Sequence, residues 1–301
     1  MKSTPYLGNP IVLLTLTIGL ILSCQKEDNE ISSPEENNPP AEPDSLSATQ
    51  ILQRLRSDYP LMPEEQIAIS TDSSTYAQYS RPVTRYRHGI LGDQIEAGQL
   101  VIVLDGEFYD LTLEDTYVFE DIRPRLADVD LDGVLEIVTI RAHMNNGAGI
   151  AIYKVINDQL QEYARVEEIG RANRWLNPVA IADLDQDGTV EIVWIQTPQI
   201  GGILKVASFT PGTLSVLDET SLYSNHAIGE RNLCLSVLTQ EAGQFNFYVP
   251  TQNRNQIVGF SWSGSKLEQT SVIDQSVDFS KPLVDQATFS NLIEGEDNCI
   301  F

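Results

Sequence analysis

The sequence predicts an all-β chain: a small β-propeller of four to five four-stranded antiparallel blades, with a disordered N-terminal tether and a short N-terminal helix ahead of it. Three observations predict it. A hairpin pattern of alternating strand, tight turn and strand occurs four times, as "LVIVLDGEFYDLTL", "IAIYKVINDQLQEY", "ILKVASFTPGTLSVL" and "IVGFSWSGSKLEQT". Its turn markers Gly106, Asp158, Gly212 and Gly264 are spaced by 52, 54 and 52 residues. An acidic segment, "ADVDLDGVLEI" from Ala127, returns 55 positions later as "ADLDQDGTVEI" from Ala182. A β-sandwich also has regular turns, but it does not predict a constant four-strand period.

From the N-terminus, Lys2 and the apolar run Ile11 to Leu22 have the form of a signal sequence, and the run is too short for an ordinary membrane span. It ends in "LILSC", which resembles the lipobox of bacterial lipoproteins; residues 1–23 would then be a lipoprotein signal peptide and Cys24 the lipidated residue. An ordinary secretory signal with a chance cysteine is the plainer reading. "QKEDNE" after Cys24 is similar to a lipoprotein export signal, which implies anchoring in the outer membrane and exposure on the cell surface, with the periplasmic face as the alternative. Residues 24–47 are rich in Pro, Glu, Asn and Ser, with seven acids against one lysine from Gln25 to Ser47, and read as a disordered acidic tether. "ATQILQRLRSDYP" opens the folded domain at 48–301 as a short helix, with Ile51, Leu52 and Leu55 on one side.

The first repeat unit is clear only in its later half. The second reads as Arg125–Ala127, "EIVTIRA", "IAIYKV" and "LQEYARV"; the third as "VAIA", "VEIVWIQ", "ILKVASF" and "TLSVLDE". The fourth keeps its strands ("NLCLSVL", "FNFYVP", "QIVGFSW", "LEQTSVI") without the acids. A seven-bladed ring needs more than about 300 folded residues at this repeat length, so the prediction is four or five blades, closed or as an open arc, with the terminal segment as a possible closing strand. Cys234 and Cys299 can be oxidised to a disulfide outside the cytoplasm; two buried free thiols are the alternative.

The net charge is −24, of which the two acidic segments and the tether supply all but ten. Such a chain does not suit nucleic acid or an anionic membrane surface, so contact with the membrane is expected only through the lipid anchor. Numbered from Asp128, the first acidic loop places carboxylates at positions 1, 3, 5 and 9 (Asp128, Asp130, Asp132, Glu136) with Gly133 at 6. The second has Asp183, Asp185, Asp187, Gly188 and Glu191 in the same places. Alternate residues of a curled loop point inward, and the carbonyl at position 7 (Val134, Thr189) adds an oxygen. Six to eight hard oxygens describe Ca²⁺, whereas softer metals take His or Cys. Two bound Ca²⁺ ions are therefore expected. An EF-hand needs a glutamate at position 12 and a helix after it; Thr139 and Trp194 stand there, inside strands.

A Glu at position 9 with strands on both sides resembles the FG-GAP or VCBS repeat, the calcium-loop blade of integrin-alpha-like propellers and of many secreted bacterial proteins. "ADVDLDGVLEIVTI…NNGAGIAIYKV" follows that run of loop, strand, turn and strand, and the resemblance covers about two repeats. It implies that the ions are structural and stabilise two blades.

Catalytic signatures are absent from the sequence: His88, His143 and His226 are not in HExxH spacing, and no GxSxG or phosphate-binding loop occurs. His143 and His226 are placed at blade edges as solvent-facing loop residues. Trp175 and Trp262 could form a sugar platform or could be packing residues, and Trp194 sits in a core strand. Arg171, Arg174 and Trp175 in "RANRWLNP" are the best guess for a ligand contact. The function expected is that of a non-enzymatic binding or scaffold module for a protein or glycan at the cell envelope. A polysaccharide-processing enzyme or accessory subunit is the alternative, by analogy alone.

Overall fold

The computed structural model describes residues 46–63 and 66–293. The chain divides into two units, Met1–Asp44 and Ser45–Phe301. The signal peptide, nearly all of the tether, Cys24 and Cys299 lie outside the described residues. Within the described part of the second unit, the helix α1 spans Ala48–Asp58. Ser47 caps it: its side chain accepts the Gln50 amide while the Gln50 side chain accepts the Ser47 amide, a reciprocal box that satisfies two otherwise orphaned donors. Ile51 and Leu55 are buried against Tyr76, Val101 and Val103. No helix among the described residues is long and apolar enough to cross a membrane.

Seventeen strands follow, and sixteen of them fall into four antiparallel units. Unit 1 holds β1 (Ala68–Ile69), β2 (Thr75–Val83), β3 (Glu96–Leu104) and β4 (Glu107–Thr112). A three-residue strand, β5 (Tyr117–Phe119), comes next. Unit 2 holds β6 (Arg125–Ala127), β7 (Glu136–His143), β8 (Gly147–Ile156) and β9 (Gln159–Arg165). Unit 3 is β10 (Leu176–Ala182), β11 (Glu191–Gln196), β12 (Ile203–Thr210) and β13 (Thr213–Ser221). Unit 4 is β14 (Val237–Glu241), β15 (Gln244–Pro250), β16 (Gln256–Trp262) and β17 (Leu267–Asp274). The chain is all-β apart from its short helices, and its four-stranded antiparallel sheets resemble propeller blades.

Burial grades across each unit as stacked blades require. The second strand of unit 2 is almost wholly buried, while β9, β13 and β17 alternate between buried or half-buried and exposed positions. Consecutive units share core: Phe119, Ile137 and Tyr153 pack with Leu100 and Ile102 between units 1 and 2, Ile140 and Ile150 with Trp175 and Trp194 between 2 and 3, and Val193 and Leu204 with Phe247 and Phe260 between 3 and 4. The marker residues Gly106, Asp158, Gly212 and Gly264 all take positive φ, from 59° to 90°, the left-handed backbone that tight hairpin turns demand.

Three details depart from the sequence reading. β5 was not expected; it pairs with β3 at Ala97 and with β7 at Arg141 to His143, so units 1 and 2 form one nine-stranded sheet. The first unit also has an early half, β1 and β2, that the sequence pattern did not reveal. "NLCLSVL" is strand only from Val237, because its first residues satisfy their backbone elsewhere. Asn232 Oδ1 accepts the Cys234 amide at 3.0 Å, the Cys234 carbonyl accepts Leu283 N at 2.7 Å, and Leu233 O accepts from Asn177. The segment before residue 294 meets β14 in a single antiparallel bridge between Leu292 and Thr239. Cys234 is disulfide-bonded; Cys299, the partner expected from the sequence, lies outside the described residues.

Candidate metal centres

Each acidic loop joins the first and second strand of its unit. Positions 4 and 6 take the left-handed conformation in both loops, at Leu131 and Gly133 (φ 58° and 88°) and at Gln186 and Gly188 (φ 62° and 89°). Two such residues in three curl the chain so that alternate carboxylates turn to the inside. The amides then close on the acids. In loop 1, Asp128 accepts Asp132 N at 3.0 Å and Gly133 N at 2.9 Å, Asp132 accepts Val134 N at 2.9 Å, and Glu136 Oε2 accepts Val129 N at 2.8 Å. Loop 2 repeats this with Gly188 N on Asp183 at 3.0 Å, Thr189 N on Asp187 at 2.8 Å and Leu184 N on Glu191 Oε2 at 3.0 Å.

Three carboxylates of each loop converge, with ligand oxygens within 4.8 Å of one another: Asp128, Asp130 and Glu136 in the first, Asp183, Asp185 and Glu191 in the second. The glutamates start buried strands, so each brings an anionic oxygen to the inner wall of its loop. Asp132 and Asp187, placed among the ligands by sequence spacing, are not in these two groups of three; their Oδ1 atoms accept the amides of Val134 and Thr189. Val134 and Thr189 contribute those amides. An all-oxygen set of this size suits a hard divalent cation such as Ca²⁺, and each loop has one buried oxygen without a hydrogen-bond partner, Glu136 Oε1 in loop 1 and Asp183 Oδ1 in loop 2; of the two, Glu136 Oε1 has an ammonium, that of Lys154, beside it at 2.6 Å. Both clusters could hold a metal ion.

The two loops differ in what already neutralises them. Lys154, on β8, puts its Nζ 2.7 Å from Asp130 Oδ2, 2.7 Å from Asp132 Oδ2 and 2.6 Å from Glu136 Oε1, and Tyr163 donates to Asp130 at 2.7 Å. Burial opposes ionisation of Asp130, but these donors outweigh it and hold its carboxyl below the usual range. Among the described residues, no cation pairs with the acids of loop 2 in this way. Burial first, and then the charges of Asp185, Asp187 and Asp183, push the Glu191 carboxyl up to about 7. Sequence spacing missed Lys154 because it lies outside the loop. The signal was the hairpin register: Glu191 stands opposite Ser208, and one step beyond the Ile137–Tyr153 pair Glu136 stands opposite Lys154.

Loop 2 is instead held by the next unit. Gln186 donates to the Gly243 carbonyl in the β14–β15 turn, and Gly264 lies so close that an added Cβ would stand 2.7 Å from Asp185 Oδ2; outside the loop, Asp218 on β13 accepts Leu267 N of unit 4 at 2.8 Å.

Of the expected ligand contacts, Trp175 is corrected. It is 1 % exposed and donates its Nε1 to the Glu120 carbonyl at 2.8 Å, so it serves packing between units. Trp262 and Trp194 are buried as well. Arg171 is exposed and Arg174 partly so, and both stay available at the surface. His226 is also corrected: it is buried against Trp175, held by Gln199 and the Glu230 carbonyl, and burial lowers its pKa to about 4. His143 is half-buried beside Tyr117.

A buried acidic group around β5 escaped the sequence reading. Glu120 is fully buried, with Oε1 2.6 Å from His88 Nδ1 and Oε2 without a partner. Burial and neighbouring Asp121 raise its pKa well above the usual range, while burial and then Glu120 raise Glu96 to about 9. Burial, then Arg174, lowers His88 to about 4. Asp121 is paired with Arg125 at 2.7 Å and accepts from Tyr79.

Residues 128–194 match the model of the FG-GAP-like repeat. No curated protein matches the chain. Among solved structures the chain is similar to a protein from Lactobacillus plantarum (13 % identity, TM-score 0.42, covering 69 % of this chain and 55 % of that one). It is similar also to the periplasmic gluconolactonase of Pseudomonas aeruginosa (14 %, TM-score 0.40, 70 % and 53 %) and to a rhamnogalacturonan lyase of Bacillus licheniformis (15 %, TM-score 0.35, 72 % and 53 %). The chain thus spans little more than half the length of these structures. The segment that carries both acidic loops and the strands between them thus matches the FG-GAP-like repeat, and it is set in an all-β chain of four-stranded antiparallel units.

Proposed function

We propose that this protein is a calcium-stabilised β-propeller, lipid-anchored through Cys24 at the bacterial cell envelope, that acts as a non-enzymatic binding or scaffold module for a protein or glycan. One observation carries the calcium part: the convergence of Asp183, Asp185 and Glu191, with a buried Asp183 oxygen that no protein donor satisfies. The glutamates begin core strands and loop 2 touches the next unit, so an ion there would tie blade to blade and take no part in a reaction. Extracellular calcium modules bind with Kd of ~10⁻⁴–10⁻³ M, and one such site at tenfold excess adds about 1.4 kcal/mol. Melting with EGTA and with millimolar calcium tests this; an unchanged Tm overturns it. Arg171 and Arg174 are the proposed contacts for the partner, to be tested on a glycan array and by pull-down with Arg171→Ala and Arg174→Ala. For the anchor, Cys24→Ser should release the protein from the membrane fraction.

A second reading, a polysaccharide-processing enzyme, draws on His88. A carboxyl behind an imidazole, with Arg174 close enough to affect it, is an arrangement used for proton transfer. Turnover of uronate-containing polysaccharides that His88→Ala abolishes would favour this reading over the binding module.

A further inference from the structure

Loops 1 and 2 carry the same acids at the same spacing, and calcium is proposed for both on that ground. Their surroundings differ at two register-matched positions. Opposite the loop glutamate, on the third strand, stands Lys154 in unit 2 and Ser208 in unit 3. At the bulge of the outermost strand, where the register skips one residue, stands Tyr163 in unit 2 and Leu217 in unit 3. Lys154 and Tyr163 both reach into loop 1; Ser208 and Leu217 bring loop 2 neither charge nor phenol.

We propose that the Lys154 ammonium is the resident cation of loop 1, so that the protein binds a single calcium ion, at loop 2. The inference rests on calcium as the ligand of these loops. Two of the three carboxylates that Lys154 touches, Asp130 and Glu136, belong to the converging set, and its Nζ stands 2.7 and 2.6 Å from them. Calcium needs its oxygens at about 2.3–2.6 Å, so ion and ammonium compete for the same carboxylates, Asp130 and Glu136. Binding there requires either that Lys154 leave three carboxylates and the face of Tyr163, 5.2 Å from its Nζ, or that a divalent ion sit beside a like charge. Loop 2 demands neither. Lys154 is thus a specificity-determining residue, and the stabilisation of unit 2 does not depend on metal.

The test is calorimetric titration of the full chain in detergent, stripped with EDTA and titrated with calcium alone. The expected stoichiometry is one for the wild type, two for Lys154→Met and none for Ser208→Lys, with Ser208→Gln remaining at one. The site gained in Lys154→Met should bind at least about tenfold more tightly than any residual wild-type binding at loop 1. Two equivalent sites in the wild type, or one in a folded Lys154→Met, overturns the inference and leaves the calcium reading intact. No binding to the wild type overturns the calcium reading itself. Ser208→Lys, read with its Tm in EDTA, keeps the test decisive if Lys154→Met does not fold; retained binding in that variant also overturns the inference.

Discussion

Loops 1 and 2 follow one pattern of acids and settle their charge by different means. Loop 1 draws an ammonium and a phenol from its own sheet. Loop 2 leaves Asp183 Oδ1 without a partner and leans on unit 4 through Gln186 and Gly264. A short motif therefore specifies a curled loop and a ring of oxygens. The strands beside it decide whether a protein cation joins that ring.

The comparison breaks most visibly at Lys154. Removing it strands a fully buried glutamate beside two aspartates, and losing one partner of a buried ion pair costs about 3–4 kcal/mol. Lys154→Ala should lower Tm accordingly in EDTA, and calcium at tenfold excess over Kd should restore about 1.4 kcal/mol of the loss; a variant as stable as the wild type in EDTA would show that the ammonium is not what holds loop 1.

Next in size is pH dependence. In EDTA the folded Glu191 carboxyl titrates near 7, above its unfolded value of 4.5. Between those values the folded state binds more protons, so its stability falls as pH rises, by roughly 2–3 kcal/mol across the window. Acidification from pH 7 to 5 should therefore raise Tm in EDTA through this group. Glu191→Gln should remove that part of the slope, and calcium should remove it in the wild type; a slope identical in all three would refute the assignment.

Calcium itself comes third. Adding it at tenfold excess over Kd should stabilise the wild type by about 1.4 kcal/mol, the effect of one site. Asp185→Asn should abolish the gain, and Asp130→Asn should leave it. The smallest effect belongs to Tyr163→Phe, which deletes one hydrogen bond to Asp130 and should cost about 1 kcal/mol in EDTA and calcium alike, as read by chemical denaturation.

Much of the architecture was legible before any coordinates. The hairpin markers, the short N-terminal helix and the strands of units 2 and 3 all follow from local periodicity and turn chemistry. The losses have physical causes. β5 is three residues long, too short to show a period, and exists because two neighbouring sheets offer it edges. The first residues of "NLCLSVL" alternate as a strand should, yet their backbone is satisfied by the side chains of Asn232 and Asn177 and by the Leu283 amide in place of a neighbouring strand. Trp175 and His226 sit in polar loop sequence but meet in the core between units.

By itself, the sequence determined the repeat, the antiparallel hairpins and the two oxygen-lined loops, because each depends on residues within a few positions of one another. Only the tertiary structure decided which carboxylates converge, that Lys154 enters loop 1, that unit 4 closes on loop 2, and that Glu120 lies buried against His88. Those contacts join strands and units that are far apart in the chain, and the free energy of a charge depends on every group within a few ångströms, whatever its place in the sequence.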